Sequence, residues 1–418
     1  MTQGLAPESL FFMNEATRRF IQEHRMEDVR QLALKGGKGA DIDMPMALQQ
    51  IAGWQTARKK LPAWAEMEDI IYPPHLNMEQ CSSEETALYK ESLTPCPSPS
   101  ERGVFVDLTG GFGVDFSYMS RAFERRIYVE RNPELCEIAR HNFQCLGLEA
   151  EVVCAEAEDY LKEMAPVDVI YLDPARRDQQ GSRTYGIADC SPNVIELLPL
   201  LREKAQCIIL KLSPMLDWRK AVSDLEGVQE VHIVSVGNEC KELLLVLGSK
   251  PSEGLLLVCV NDGREFSLLL KEGTFYSQGG NDLFPGWECF IPKVGIFAGN
   301  YLFEPNASIM KAGCFREVSQ TFGVQQLSAN SHLFVADHDV ADFPGRRFLV
   351  ESSSSMNKQE LKSVLKPVTQ ANIAVRNFPM TAEMLRKKLK IKDGGDVFIF
   401  GTTLSDGSHQ LFICRKIG

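Results

Sequence analysis

The sequence of 418 residues has no apolar N-terminal stretch of the kind that directs secretion. Nor does any uninterrupted apolar run approach the ~20 residues that a membrane-spanning helix needs. Both absences argue against a membrane protein and make the cytoplasm the expected compartment. Twelve cysteines are present, yet no two form a C-x-x-C pair and no histidines cluster at metal-ligand spacing. This argues against a disulfide framework and a zinc site, so the thiols are expected to be reduced and mostly buried. No internal repeat is evident, and low complexity is confined to the serines at 352–355. An excess of positive charge is also missing: the formal net charge is −11, which argues against a chain coated for nucleic acid.

The charge is unevenly spread, however. Residues 331–418 carry thirteen Lys/Arg against nine Asp/Glu, a net of +4, which leaves −15 for the first 330 residues. The C-terminal part is the one that an RNA backbone would tolerate. The length suggests two or three units at about 150 residues each. Residues 1–98 read as helical: apolar residues recur at three-to-four spacing in 14–22 and 45–59, and Ser82-Ser83-Glu84-Glu85 carries the capping residues and first-turn acids of another helix. A Pro/Ser linker at 95–100 marks a boundary. Residues 99–250 alternate strand and helix, as a parallel sheet with crossovers requires, and close with a hairpin of 230–236 and 241–247. Another hairpin, turned at Asn261-Asp262-Gly263, opens an expected small α+β domain over 251–330 with one helix near 305–321. A final α+β domain is expected over 331–418, ending in a hairpin turned at Ser405-Asp406-Gly407.

The stretch that organises the chain is Val104-Phe105-Val106-Asp107-Leu108-Thr109-Gly110-Gly111-Phe112-Gly113-Val114-Asp115. An apolar strand enters a glycine turn that opens a helix, so a ligand can approach the backbone where side chains would block it. A dinucleotide fingerprint beginning at Gly111 would want a third glycine where Phe116 stands. Asp107 is also badly placed beside a pyrophosphate, whereas it suits a cationic amino group. The nicotinamide reading is therefore disfavoured.

This stretch resembles the first motif of the class I S-adenosylmethionine (SAM) dependent methyltransferases, and the likeness continues in order over about 104–247. The resemblance implies a Rossmann-like α/β sheet of seven strands with an antiparallel edge hairpin, and SAM as cofactor. It implies that Asp107 accepts from the methionine ammonium of SAM, with Thr109, Gly110, Gly111 and Gly113 against the cofactor backbone. Glu130, at the end of the second strand, would take both ribose hydroxyls, a cis-diol suiting a carboxylate. Arg131 and Asn132 flank it, Asn132 also reading as a helix cap. Glu156 matches an acid placed against the adenine amino group, or equally a first-turn acid. The segment 79–83 either belongs to a helical cap or packs on the site. The end of the chain, from Asn372 to the closing hairpin, resembles the THUMP-like domains appended to some bacterial methyltransferases; THUMP domains are RNA-binding modules.

After an apolar strand stands Leu172-Asp173-Pro174-Ala175-Arg176-Arg177, similar to the (Asn/Asp)-Pro-Pro-(Tyr/Phe) motif of methyltransferases acting on exocyclic amines. A ring-conjugated amine is a poor nucleophile. The Asp173 carboxylate and the Pro174 carbonyl can each accept one N–H, turning the lone pair towards a methyl donor. Ala175 replaces the second proline and Arg176 the aromatic; a guanidinium plane can also stack on a base or hold a phosphate. Methylation at cytosine C5 is disfavoured because neither strand end offers a cysteine nucleophile. Ribose 2′-O methylation stays open, with Lys211 serving beside Asp173. The expected protein is a SAM-dependent methyltransferase acting on a base nitrogen of tRNA or rRNA. A small-molecule methyltransferase and a non-catalytic SAM- or RNA-binding protein are the alternatives.

Overall fold

The computed structural model describes residues 13–35, 41–95, 103–176, 186–248, 253–271 and 299–417. The 95–100 linker lies almost wholly outside them. The N-terminal helices are α1 (Glu15–His24), α2 (Val29–Lys35), α3 (Met44–Lys60), α4 (Pro62–Ala65), α5 (His75–Gln80) and α6 (Glu84–Leu93). Asn14 caps α1 by accepting from Thr17 N, and Ser83 caps α6 by accepting from Thr86 N, with Glu84 and Glu85 in its first turn. These caps satisfy amides that a helix start leaves without intrahelical partners.

From Val104 the chain alternates strand and helix: β1 (Val104–Asp107), α7 (Val114–Met119), β2 (Arg125–Glu130), α8 (Pro133–Cys145), β3 (Glu151–Cys154), α9 (Ala157–Glu163) and β4 (Val167–Leu172). A short pair follows, β5 (Ala175–Arg176) and β6 (Cys190–Ser191), then α10 (Val194–Lys204), β7 (Ala205–Leu212), α11 (Trp218–Asp224), β8 (Val228–Val236), β9 (Glu239–Gly248), β10 (Leu255–Asn261) and β11 (Arg264–Leu270). Strand β1 lies between β2 and β4, parallel to both, and β4 is parallel to β7. The resulting sheet runs β11-β10-β8-β9-β7-β4-β1-β2-β3. Seven of these strands, β3-β2-β1-β4-β7-β9-β8, form the expected Rossmann-like methyltransferase sheet. The turn between β8 and β9 holds Gly237 and Asn238 at φ 59° and 61°, as a tight hairpin requires.

The sheet has two strands more than expected. The 255–270 hairpin does form, but β10 pairs parallel to β8, from Leu256 beside Glu230 to Asn261 beside Ser235. The hairpin thus extends the first sheet, and its outer strand β11 forms the sheet edge.

A second sheet is built from β12 (Tyr301–Pro305), β13 (Gln325–Gln326), β14 (Phe334–Ala336), β15 (Gly345–Ser355), β16 (Asn372–Arg376), β17 (Val397–Thr403) and β18 (His409–Ile417). Its order is β13-β14-β12-β15-β18-β17-β16. Four helices accompany it: α12 (Ala307–Ala312), α13 (Phe315–Phe322), α14 (Lys358–Val364) and α15 (Ala382–Leu389). The single helix expected at 305–321 is two, because Gly313 takes a left-handed φ of 68° and ends α12. Among the described residues of 251–330, the first hairpin belongs to the first sheet, and β12 and β13 to the second.

The chain forms two compact units, one of Met1–Leu212, Asp224–Val228 and Leu245–Pro251, the other of Ser213–Ser223, Gln229–Leu244 and Ser252–Gly418. In the first, one core cluster joins Trp64, Tyr72 and Met78 of the N-terminal region to Phe112, Tyr118, Leu135 and Ile138 around α7 and α8. Asn142 of α8 exchanges two 2.9 Å hydrogen bonds with the backbone of Ile71. The helical N-terminal region is thus packed on the helices that flank β1 and β2. A second cluster is aromatic: Phe105, Phe116, Phe123, Tyr128, Phe143 and Tyr171. Phe116, where a dinucleotide site would carry glycine, is fully buried with its ring 4.9 Å from that of Phe143 and 5.6 Å from that of Tyr128. Burying such a ring contributes about 2–3 kcal/mol.

Among the described residues no helix is long and apolar enough to cross a membrane. The described cysteines are free thiols, half of them buried, and Cys154 is exposed.

Candidate active site

Every side chain of the site belongs to the first unit. At the end of β1 the Leu108 amide donates to Tyr171 O at 3.1 Å, and Gly110 N donates to Val129 O at 2.9 Å, so the loop is laid across its two neighbouring strands. Gly111 and Gly113 have φ of 55° and 85°, a region where a side chain is strained. Gly110 is fixed for another reason: a Cβ there would lie 2.1 Å from the Tyr128 ring. That ring is immobilised by burial and by its hydroxyl, which donates to Gly111 O.

Asp107 is 1% exposed and accepts from Thr109 N at 2.9 Å. Burial pushes its carboxyl well above the usual range; the Thr109 amide opposes this, and the carboxylates of Asp115, Asp173 and Glu130 add to it. Among the described residues no lysine or arginine forms an ion pair with it. Glu130 accepts from Gly111 N at 2.9 Å and from Asn132 N at 2.8 Å, one on each oxygen, and each oxygen keeps a further lone pair. Asn132 caps α8 through Glu134 N at 2.9 Å, and Arg131 is exposed. Glu156 is exposed at the head of α9 and makes no side-chain cap there.

At the end of β4 the Asp173 amide donates to Thr109 Oγ1 at 2.6 Å, which ties this residue to the glycine loop. Its side chain is 39% exposed, and Lys211 Nζ, from β7, lies 2.6 Å from its Oδ2. Pro174 is buried. The Arg176 backbone pairs with Cys190. The Arg176 side chain and Arg177 lie outside the described residues.

Below this pair is a network that the sequence showed only in pieces. Asp115, in the first turn of α7, receives the Tyr171 hydroxyl at 2.7 Å and the Ser82 hydroxyl at 2.8 Å on Oδ2, with Lys211 Nζ 3.5 Å away. Lys90 Nζ is 3.2 Å from the other oxygen, Oδ1. Lys90 and Lys211 both donate to Ser82 Oγ, at 3.2 and 3.1 Å. Burial raises the proton affinity of Asp115, but the two ammonium groups and the two hydroxyl donors outweigh it and hold the carboxyl down at about 2. Of these residues, sequence reasoning singled out Lys211 and the segment holding Ser82. Asp115, Lys90 and Tyr171 were missed, because a buried ion pair between a helix interior and a glycine loop leaves no periodic signal.

The arrangement offers a glycine cradle, a buried acid beside other carboxylates, a strand-end acid, and a half-exposed carboxylate paired with lysine at the carboxyl end of a parallel sheet, where such sheets bind ligands. Residues 301–344 match a family described as a ferredoxin-like domain, and residues 345–416 one described as THUMP domain-like. The first match begins at β12 and the second at β15, which pair antiparallel in one sheet. The chain is 31% identical to a protein of Porphyromonas gingivalis W83 whose crystal structure is described as that of a presumptive methyltransferase; the two superpose with a TM-score of 0.82 over 96% of this chain and 98% of that one. It is 23% identical over 351 residues to an uncharacterized S-adenosylmethionine-dependent methyltransferase of Mycobacterium tuberculosis, found in strains H37Rv and CDC 1551, covering 82% of this chain and 91% of each relative.

Proposed function

The chain belongs to the S-adenosylmethionine-dependent methyltransferases and takes S-adenosylmethionine as its cofactor, and on that premise we propose that it methylates a base nitrogen, an exocyclic amine, in tRNA or rRNA. The observation that carries the reading is the 2.6 Å bond from the Asp173 amide to Thr109 Oγ1, which holds the Asp-Pro motif against the glycine loop.

The cofactor supplies a methyl group activated by a sulfonium. Its residues are assigned from the resemblance and from fit. Asp107 takes the ammonium group, and its burial beside other carboxylates, with no ion pair to it among the described residues, supports that role. Thr109, Gly110, Gly111 and Gly113 form the cradle. Glu130 takes the ribose hydroxyls, flanked by Arg131 and Asn132, and Glu156 takes the adenine amino group. On the acceptor side, Asp173 Oδ1 and the Pro174 carbonyl each accept a hydrogen bond from one amine N–H and aim the lone pair, while Arg176 stacks on the base or holds a phosphate. No strong base is required, because the amine becomes acidic only once methylated.

A second reading rests on one distance, the 2.6 Å between Lys211 Nζ and Asp173 Oδ2. An ammonium at that point favours a developing alkoxide over a developing ammonium, which suits a ribose 2′-hydroxyl. Labelled SAM incubated with total RNA and the protein, followed by nucleoside analysis, separates the two: label in a methylated base supports the amine, and label in an alkali-resistant dinucleotide supports the 2′-oxygen. No label in RNA overturns both.

RNA as substrate is supported by the THUMP-like match and by the cations of α15: Arg386, Lys387 and Lys388 in its last turn, with Lys390 after it. If these meet phosphates, Lys387→Glu with Lys388→Glu weakens binding to total RNA about tenfold and lowers the slope of log affinity against log salt by about 1–2. An unchanged slope in filter binding would remove this helix from the RNA surface.

Asp107 sets a pH dependence of opposite sign for folding and for cofactor. Its folded-state pKa is raised, so its contribution to stability is fully present below the unfolded value near 4 and is lost as pH rises through the folded value. An ammonium ligand needs the ionised form, so SAM affinity rises over the same window and binding releases a proton. Asp107→Asn is therefore expected to raise the melting temperature of the cofactor-free protein and to abolish SAM binding. Calorimetry in buffers of different ionisation enthalpy checks the proton release.

A further inference from the structure

Among the described residues Lys90 is the one lysine or arginine that is fully buried, with 0% exposure. It comes from α6, in the N-terminal region, which the resemblance to the methyltransferase sheet does not cover. A buried ammonium persists only when it is paired and hydrogen-bonded, and two of the groups that Lys90 meets, Asp115 and Ser82, are shared with Lys211. We propose that Lys90 is a positioning residue for the reaction, holding Lys211 on Asp173 by occupying the competing sites. This rests on the reading of Asp173 as the carboxylate that meets the substrate.

The Ser82 hydroxyl has one proton and two acceptor positions. Its proton goes to Asp115, and its two lone pairs are taken by Lys90 and Lys211. Lys90 also neutralises Asp115 through Oδ1, leaving Lys211 a longer contact of 3.5 Å to Oδ2. Lys211 makes a closer bond, 2.6 Å, to Asp173 than to either of these two shared groups. Without the Lys90 charge, Asp115 is a buried carboxylate beside an empty lone pair on Ser82, and Lys211 is drawn inward to it. Asp173 then loses its cation. Among the described residues, the charged and titratable groups of this network are Lys211 on β7, Asp173, Asp115 on α7 and Asp107 on β1, with Lys90 on α6, Tyr171 on β4 and Cys81 beside Asp115.

The test compares crystal structures of the full-length native and variant proteins, with methyl transfer to total RNA and SAM affinity measured in parallel. In Lys90→Met the Lys211 ammonium moves out of hydrogen-bond reach of Asp173 and onto Asp115, and kcat falls about tenfold while SAM affinity stays within about threefold. Lys90→Gln, which keeps a donor but loses the charge, behaves alike and serves if the methionine variant does not fold. The double variant Lys90→Met with Asp115→Asn removes the inward pull and returns Lys211 to Asp173, a rescue that a merely structural role would not produce. A folded neutral variant in which Lys211 stays on Asp173 overturns the proposal, as does a double variant that fails to bring it back. The structures need no acceptor, so a native protein that transfers no label to RNA overturns the proposed reaction while the role of Lys90 is still decided.

Discussion

Asp173→Ala is expected to bind SAM within about threefold of the native affinity and to lose methyl transfer by about a thousandfold or more. The separation follows from position. Asp173 meets the glycine loop through its backbone amide, which the substitution keeps, while its carboxylate is half-exposed. Removing the carboxylate leaves Lys211 with Ser82 at 3.1 Å and Asp115 at 3.5 Å, so no buried cation is orphaned and the fold stands. What is lost is the acceptor that orients the attacking atom. Asp173→Asn keeps an acceptor without its charge and is expected to fall between. Isothermal titration with SAM and label transfer to RNA measure the two halves separately; a turnover loss below tenfold would take Asp173 out of the chemistry.

Gly110→Ala is expected to act on the other half of the reaction. The added methyl group would stand 2.1 Å from the Tyr128 ring, which is fully buried and fixed through its hydroxyl to Gly111 O. The ring cannot yield without displacing Phe116 and Phe143, so the loop must move. Overpacking of this kind costs about 1–3 kcal/mol of stability. A displaced loop no longer presents Gly111 N to Glu130, and SAM affinity is expected to fall about a hundredfold, or about 2.7 kcal/mol. A variant that binds SAM as the native protein does would show that the cradle is not the cofactor loop.

How far the sequence speaks can be seen residue by residue. Asn132-Pro133 and Ser83-Glu84 announce helix starts because capping is decided within four residues, and both caps are formed. Strands β1, β2, β3, β4 and β7 are legible because a parallel sheet buried on both faces needs continuous apolar runs, whereas the short antiparallel pair β5 and β6 leaves no such run. The hairpin at 255–270 is equally legible as a hairpin, yet its sheet is not. Which edge a hairpin joins depends on the pairing of its outer groups, and β8 precedes β10 by some twenty residues. Lys90, Asp115 and Lys211 show the same limit at the site. The bond from Lys211 to Ser82 spans 129 residues, and neither residue's neighbours in sequence betray it. Only the fold turns a helix-interior lysine into a neighbour of the cofactor loop.

The parallel pairing of β10 with β8 bears on how this enzyme can be dissected. A chain ended at residue 250, where composition suggests a natural break, would strip β8 of its partner from Glu230 to Ser235 and bare a row of amides and carbonyls able to recruit any extended peptide. Such a fragment would tend to clump whatever its catalytic competence. Carrying the cut past Leu270 keeps that flank covered.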